Sequence, residues 1–291
     1  MSKFPQITLY FWIMKICATT LGETAGDLLS MTLNVGYAMS SLILISFFFI
    51  TLVVQLVSKK HHPLLYWAVI LSTSTAGTTM SDYMDRTLGL GYMKGSAILF
   101  ASLLAILALW RLTVRDLSVV NIKTSKVELL YWTAILFSNT LGTALGDFLA
   151  ENSGLGFGGG ALLISSLIGL VVIAHFYSKI SEVLLFWVAF VLTRPFGATM
   201  GDLLTKPHEE GGLNFGTIAS SAIVAVVLGI FVFHSIRNQR NTAIDAIAPD
   251  FDLLESEMEG GSRNPVIFFL VPILIALAGL LVWALLQNLL E

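Results

Sequence analysis

Residues 21–27 read LGETAGD, and related segments recur as AGTTMSD at 76–82, LGTALGD at 141–147 and FGATMGD at 196–202. Each segment follows a tryptophan at a fixed distance, in the pattern Trp-x9-Gly-x4-Asp. The four tryptophans are Trp12, Trp67, Trp132 and Trp187. Unrelated runs would not keep both spacings without an insertion, so the chain is predicted to contain four copies of one structural unit.

The composition around these copies is that of a membrane protein. Of the 291 residues, 56% are hydrophobic and 12% are charged, and the mean hydropathy is +0.83. Soluble domains carry about a quarter charged residues. The low charge and the net charge of −3 exclude a soluble enzyme, a disordered chain and a nucleic-acid binder. A single cysteine, Cys17, excludes a disulfide scaffold.

Hydrophobic runs of about 20 residues predict nine transmembrane helices. They cover residues 7–28, 38–57, 64–82, 95–112, 127–148, 160–177, 183–203, 217–234 and 265–290. Eleven Lys and Arg residues lie before the first span or after even-numbered spans, against three on the other face. This asymmetry predicts a cytoplasmic N-terminus and an external C-terminus.

Each unit contains two helices, so all four units are expected to insert in the same direction. The predicted fold is an all-α polytopic membrane protein with eight transmembrane helices as four parallel two-helix repeats, plus a ninth C-terminal helix. The segments are 1–60, 61–115, 116–180 and 181–236 for the repeats, 237–263 for an acidic cytoplasmic linker, and 264–291 for the appended helix. An axis along the membrane normal would relate the repeats, in a four-fold or two-by-two arrangement.

Over about residues 5–235 the chain resembles bacterial membrane proteins that are built from tandem two-helix repeats of unknown function. The fourfold Trp-x9-Gly-x4-Asp pattern carries this resemblance. The resemblance implies a multi-pass protein of the bacterial inner membrane, and it implies no particular substrate.

On a helix, the motif tryptophan, small residues and aspartate share one face. The small residues form small-xxx-small pairs, which allow close helix packing in lipid. The pairs are Gly22/Gly26, Gly77/Ser81, Gly142/Gly146 and Gly197/Gly201. With tryptophan in the cytoplasmic aromatic belt, the aspartate, about 22 Å further along the helix, would lie most of the way across the bilayer.

The four aspartates are the main candidate site, because a carboxylate inside the bilayer costs about 2.5–3.5 kcal/mol or more. They are Asp27, Asp82, Asp147 and Asp202. In one interpretation each aspartate ties down the glycine-containing turn that follows it. In the other they converge on a shared cavity, where they bind a cation or share protons. Oxygen ligands of this kind favour Mg²⁺, Ca²⁺ or Mn²⁺ as a metal.

Departures from the repeat add further candidates. Glu23 precedes Asp27 by one turn, and Lys15 and Arg194 are cations inside spans. These cations are expected to pair with the carboxylates, either as permanent salt bridges or as a gate with which a substrate cation competes. Residues at equivalent or neighbouring positions are candidates for uncharged oxygen ligands: Thr20, Thr75, Thr140 and Asn139. For the three threonines a hydrogen bond to a carbonyl of their own helix is the favoured alternative.

These residues favour a transporter of cations, with a divalent metal ion as substrate, coupling to protons or both, over two alternatives. One is a non-transporting scaffold or accessory subunit, and the other is a permease for a small organic or anionic solute that Lys15 and Arg194 would bind. No nucleophile–base arrangement or nucleotide-binding loop is visible, so the chain is not expected to be an enzyme. A divalent metal ion is expected only as substrate. The expected partners are the lipid bilayer, a small ion, and either a second copy or a partner helix on the ninth span.

Overall fold

The computed structural model describes residues 5, 7–58, 62–114, 117, 119, 122 and 124–245, with side chains as far as residue 238. This part of the chain is helical and contains no strand. Its long helices are α1 (Leu9–Asp27), α2 (Tyr37–Val57), α3 (Pro63–Asp82), α4 (Tyr92–Val114), α5 (Ser125–Asp147), α6 (Gly156–Tyr177), α7 (Glu182–Thr205) and α8 (Thr217–Asp245). The ninth predicted span, 265–290, and most of the acidic linker lie outside the described residues.

Local sequence explains where the first helix begins in three of the four repeats. The hydroxyls of Thr8 and Thr124 cap α1 and α5, and Pro63 occupies the first turn of α3, where its missing N–H is tolerated. In three repeats the helix continues past the aspartate as one π-helical turn. These turns are Leu28–Thr32, Tyr83–Thr87 and Phe148–Asn152. The fourth repeat ends differently, with α7 stopping at Thr205 and a short 3₁₀ helix at His208–Glu210.

The helices form an inner ring and an outer layer. In the ring, α1 and α5 each pack against both α3 and α7. The second helix of each repeat packs on the first helix of the next repeat, and α8 completes the circle by packing on α1. The outer helices expose large apolar side chains such as Phe49, Leu104 and Ile223. The ring is therefore enclosed by helices whose outward surface suits lipid.

Five helices are long and apolar enough to cross a membrane: α2, α4, α6, α7 and the first part of α8, Thr217–Asn238. The sequence analysis also predicts spans for α1, α3 and α5, and these three do not reach the same hydropathy. The physical reason is their position in the ring. Neighbouring helices cover them, so they carry many buried hydroxyl and charged side chains that a lipid-facing helix would not.

The motif tryptophans point into the bundle and not outward from it. All four are at most 5% exposed and belong to an aromatic layer inside the ring. In each repeat, the residue before the tryptophan contacts the tryptophan of the next repeat. These contacts are Phe11 with Trp67, Tyr66 with Trp132, Tyr131 with Trp187, and Phe186 with Trp12, at 5.5–6.4 Å between ring centroids. The aromatic layer closes one end of the ring.

Candidate functional site

The first motif glycine of each repeat lies where two ring helices approach most closely. A Cβ added to any of these glycines would come within 3.0 Å of an atom on the next helix. The contacts are Gly22 with Ser74, Gly77 with Asn139 and Thr140, Gly142 with Arg194 and Pro195, and Gly197 with Thr19. The same partner position recurs in every repeat, so the small residues set a common register around the ring.

The second small residue of the motif repeats this arrangement one turn further along. A Cβ on these residues would lie 2.8–2.9 Å from the neighbouring side chain. The contacts are Gly26 with Thr78, Gly146 with Ala198, and Gly201 with Glu23, while Ser81 is fully buried. All eight predicted packing residues are thus inside the ring, and the close approach brings the polar groups of the four helices together.

Arg194 lies at the centre of the ring and contacts all three other repeats. Its side chain is 0% exposed, and Nη1 is 3.0 Å from Glu23 Oε2. Nη1 also donates to the Thr19 carbonyl (3.1 Å). Nη2 donates to the Ser74 carbonyl (3.3 Å) and to the hydroxyls of Thr78 and Thr143. The predicted pairing of Arg194 with a carboxylate is therefore present, and the carboxylate is that of Glu23.

Thr78 and Thr143 also donate to Glu23 Oε2, at 3.2 and 3.3 Å. Both threonines follow the motif glycine directly, as Glu23 does in the first repeat and Ala198 in the fourth. The ligand positions predicted from the sequence lie elsewhere, two places before the glycine, so this position is absent from that prediction. An alignment of the four copies contains the missing signal, because a polar residue follows the glycine in three of them.

The predicted threonine ligands point elsewhere. The Thr75 hydroxyl donates to the Leu71 and Ser72 carbonyls (both 3.2 Å), and that of Thr140 donates to the Leu136 carbonyl (2.9 Å), so both bond within their own helix. Thr20 is buried. Within the described residues, none of the three hydroxyls bonds a carboxylate. Helix geometry explains the difference, because three residues along a helix change the direction of a side chain by about 60°.

Lys15 lies in a separate layer, between the aromatic layer and Arg194. Its Nζ donates to Asn139 Oδ1 (3.4 Å) and lies 4.1 Å from the centroid of the Phe190 ring. Asn139 in turn donates to the Thr73 hydroxyl (2.9 Å). In the part of the chain that the structure describes, no carboxylate oxygen lies within 4.0 Å of this amine. Lys15 and Asn139 thus bond each other rather than the acidic groups with which the sequence analysis associates them.

The four motif aspartates meet at the other end of the ring, and two cations bridge them in pairs. Arg86 Nε lies 3.1 Å from Asp82 Oδ1, and Nη2 lies 3.9 Å from Asp147 Oδ2. Lys206 Nζ lies 3.5 Å from Asp202 Oδ1 and 3.6 Å from Asp27 Oδ2. In the sequence, Arg86 and Lys206 contribute only to the predicted orientation of the chain, and neither is a predicted site residue. The sequence does contain a sign of their role, because each follows a motif aspartate by four residues, which is about one helical turn.

The charge of both bridging cations is reinforced by their surroundings. Burial by itself lowers the pKa of Lys206, but the carboxylates of Asp202 and Asp27 outweigh burial and raise that pKa above its usual range. Burial also opposes the charged form of Arg86. The carboxylates of Asp82 and Asp147 favour that form more strongly, so the pKa of Arg86 is raised. Both side chains therefore remain cationic at neutral pH.

Three of the four aspartates do not cap the turn that follows them. Asp27, Asp82 and Asp147 each directly precede a π-helical turn, and none of their side chains makes a capping hydrogen bond to it. Asp82 and Asp202 do contact the segments that follow them, through the side chains of Arg86 and Lys206. Both cations also contact an aspartate of another repeat, and the convergent interpretation accounts for these contacts whereas the turn-holding one does not.

Three carboxylates form the tightest group at this end. One oxygen from each of Glu23, Asp147 and Asp202 lies within 4.8 Å of the other two, and all three residues are at most 4% exposed. This spacing is compatible with oxygen ligands around one metal ion. Asp27 and Asp82 flank the group and are also buried. We refer to these five residues as the carboxylate cluster.

The carboxylate cluster contains more negative than positive charge. Among the described residues, Arg194, Arg86 and Lys206 are the cations within 4.0 Å of its five carboxylates. Full ionisation would leave two negative charges without a cation, and Arg86 is shared further with Glu151, at 2.9 Å. Carboxylates this close and this buried hold protons or bind a cation to reduce their repulsion.

The fold and this site define a multi-helix membrane protein whose four internal repeats enclose a buried charged centre. The chain belongs to the family described as a repeat of unknown function (DUF347), whose model matches residues 10–61, 65–116, 130–181 and 185–241. The predicted resemblance to a four-copy repeat family is thereby confirmed. No curated protein and no solved structure is significantly similar to the chain.

Proposed function

We propose that this protein is an integral membrane transporter of cations, and that the carboxylate cluster is its substrate site. The observation that carries the proposal is the group of Glu23, Asp147 and Asp202, whose buried oxygens lie within 4.8 Å of one another. Residues from three of the four repeats contribute to this group. A change in the packing of the ring would therefore change the site directly, as transport requires.

The charge balance supports a cation rather than an anion as substrate. Each of Arg194, Arg86 and Lys206 is already within 4.0 Å of a carboxylate, so these cations offer little attraction to an anionic solute. The excess charge of the cluster equals that of one divalent ion or two protons. Carboxylate oxygens favour hard ions such as Mg²⁺, Ca²⁺ and Mn²⁺. The proposed substrate class is therefore a divalent metal ion, with protons as the exchanging or coupled species.

A non-transporting scaffold is the competing hypothesis. It requires the aspartates to hold separate turns, or the charged centre to act only as a structural ion-pair network. The absence of capping hydrogen bonds from Asp27, Asp82 and Asp147 disfavours the first form. The second form predicts no ion binding, so the experiment below distinguishes it.

The proposed placement in the membrane follows the sequence analysis. The four repeats would insert in parallel in the bacterial inner membrane, with the N-terminus in the cytoplasm and the C-terminus outside. The Lys and Arg asymmetry supports this orientation. The cyclic contacts of the motif glycines support the parallel arrangement, since equivalent positions meet at every helix boundary. In this orientation the aspartate end faces outward and the aromatic layer faces the cytoplasm.

We expect Asp147→Asn and Asp202→Asn each to weaken binding of Mn²⁺ by about tenfold or more. A charge a few ångströms from a carboxylate shifts the pKa of that carboxylate by about one to three units. Replacement of one carboxylate by a neutral amide should remove an attraction of similar size for Mn²⁺. The measurement is the loss of the free Mn²⁺ electron paramagnetic resonance signal on titration of the purified full-length protein. Uptake of radioactive Mn²⁺ into proteoliposomes then tests transport.

The matched control is Asp85→Asn. Asp85 is a buried acid at the same end of the bundle, but it lies outside the carboxylate cluster, and Ser81 donates to its Oδ2 (3.3 Å). Binding by this variant should equal that of the unaltered protein. The proposal fails if the unaltered protein neither binds nor transports Mn²⁺, or if the cluster variants fold normally and bind it with unchanged affinity.

A further inference from the structure

The bridging cations follow a pattern that the repeat makes visible. The position four residues after the motif aspartate holds Met31, Arg86, Glu151 and Lys206 in the four repeats. Only the second and fourth repeats therefore place a cation there. Each of these two cations contacts the aspartate of its own repeat and that of the next repeat. The four aspartates are thus divided into two pairs, each with one cation between its members.

We infer that Arg86 and Lys206 are built-in competitors of the transported cation, which occupy positions between paired aspartates and so set the affinity of the site. This inference rests on the proposed function. It adds two residues to the site and assigns them control of affinity.

The surroundings of the Arg86 and Lys206 side chains would allow a bound cation to displace them from the aspartates. Their side chains are 31% and 15% exposed, whereas that of Arg194 is fully buried. Both therefore have a route to water. Arg194 holds the ring from within and has no such route.

Each competitor also has a local means of moving. Arg86 has other partners away from the aspartates, because Nη2 contacts the Glu151 carboxylate and the guanidinium lies 5.5 Å from the Tyr92 ring centroid. Lys206 follows the last residue of α7, and its backbone is held there, because its N–H donates to the Asp202 carbonyl (2.8 Å) and its carbonyl accepts from the Asn214 N–H (2.9 Å). Its displacement would therefore be a rotation of its flexible four-carbon side chain.

The first test removes the competitors. Lys206→Gln and Arg86→Gln should each bind Mn²⁺ about tenfold more tightly than the unaltered protein. The reason is that a cation within 4–6 Å of a carboxylate stabilises its negative charge by about one to three pKa units, and Mn²⁺ must replace this cation when it binds. Met31→Lys, which adds a cation at the equivalent position of the first repeat, should bind Mn²⁺ more weakly. The matched control is Lys94→Gln, since Lys94 is exposed and, within the described residues, makes no ion pair.

The second test follows Lys206 directly. The rate at which an amine-reactive reagent labels Lys206 is measured by mass spectrometry while Mn²⁺ is added. Displacement from Asp27 and Asp202 should make this rate rise with Mn²⁺ occupancy, and the rate at Lys94 should stay constant. Asp27→Asn combined with Asp202→Asn should give a high rate at Lys206 without Mn²⁺.

The outcomes separate this inference from the proposed function. If the unaltered protein binds Mn²⁺ but neither the affinity of Lys206→Gln nor the labelling of Lys206 changes, the competitor role is overturned and the transporter proposal stands. If the unaltered protein binds Mn²⁺ and Lys206→Gln or Arg86→Gln binds it about tenfold more tightly, the inference is supported. If neither the unaltered protein nor the double variant Arg86→Gln/Lys206→Gln binds Mn²⁺, both ideas fail.

Discussion

Arg194→Gln is expected to lower the free energy of unfolding by about 3–5 kcal/mol, the range for removing one partner of a buried ion pair. The variant leaves the Glu23 carboxylate, which is 3% exposed, without its cation. It also removes the donors that Arg194 supplies to the Thr19 and Ser74 carbonyls. The measurement is reversible unfolding of the purified protein in mixed micelles, as a function of the fraction of denaturing detergent.

A second variant tests whether the lost charge partner is the cause. In Arg194→Gln with Glu23→Gln no charge is left unpaired at the ring centre, so we expect a smaller loss of stability than in Arg194→Gln alone. The coupling between the two positions should then be at least about 1 kcal/mol, within the range for contacting residues. Equal or greater destabilisation in the double variant would show that the ion pair does not hold the ring. Lys94→Gln, the removal of an exposed cation, serves as the control for loss of charge alone.

The repeat explains how much of this structure can be predicted from sequence. Four segments with a constant Trp–Gly–Asp spacing are enough to predict four helix pairs and the contact face of each first helix. The same face predicts that the motif glycines and aspartates meet. These inferences succeed because they depend only on helix periodicity and on the equivalence of the copies.

The ring could not be predicted from any single helix. Periodicity identifies the face that carries Trp12 or Asp27, but it does not tell whether that face meets lipid, water or another helix. Closure of α7 against α1 decides the question, and it buries the motif tryptophans inside the ring. The same closure explains why α1, α3 and α5 tolerate polar residues and fall short of the hydropathy of a lipid-exposed span.

The charged partners depend on an equally non-local feature. Lys15 and Glu23 lie on the same helix, so the sequence makes an ion pair between them plausible. In the structure Glu23 instead pairs with Arg194 from the fourth repeat, and Lys15 donates to Asn139 from the third. Asp27 likewise meets Lys206 from the fourth repeat. Such pairs follow from the register between helices, and the glycine contacts fix that register. A prediction that aligns the four copies first and then closes them into a ring would have placed Thr78 and Thr143 correctly.

The register itself can be tested at Gly77, and we expect Gly77→Val to lower the free energy of unfolding by about 3 kcal/mol, the upper part of the usual range for overpacking. A Cβ at this position would lie 2.9 Å from the backbone nitrogen of Thr140 and 3.0 Å from the carbonyl carbon of Asn139. Since both atoms belong to the backbone of α5, no side-chain rotation relieves the overlap. The helices α3 and α5 would have to separate, which would also move Asp82 away from Asp147.

Gly229→Val is the matched control, because Gly229 also lies within a helix but an added Cβ meets no atom within 4 Å. Valine has a higher helix propensity than glycine, so this variant should be as stable as the unaltered protein or slightly more stable. Detergent unfolding of both variants gives the comparison, and the affinity for Mn²⁺ gives a second readout. If close packing of α3 on α5 fixes the carboxylate cluster, Gly77→Val loses stability and Mn²⁺ affinity together while Gly229→Val keeps both. Equal behaviour of the two valine variants would contradict the role of the motif glycine, because it would mean that the ring tolerates separation of its helices without cost to the site.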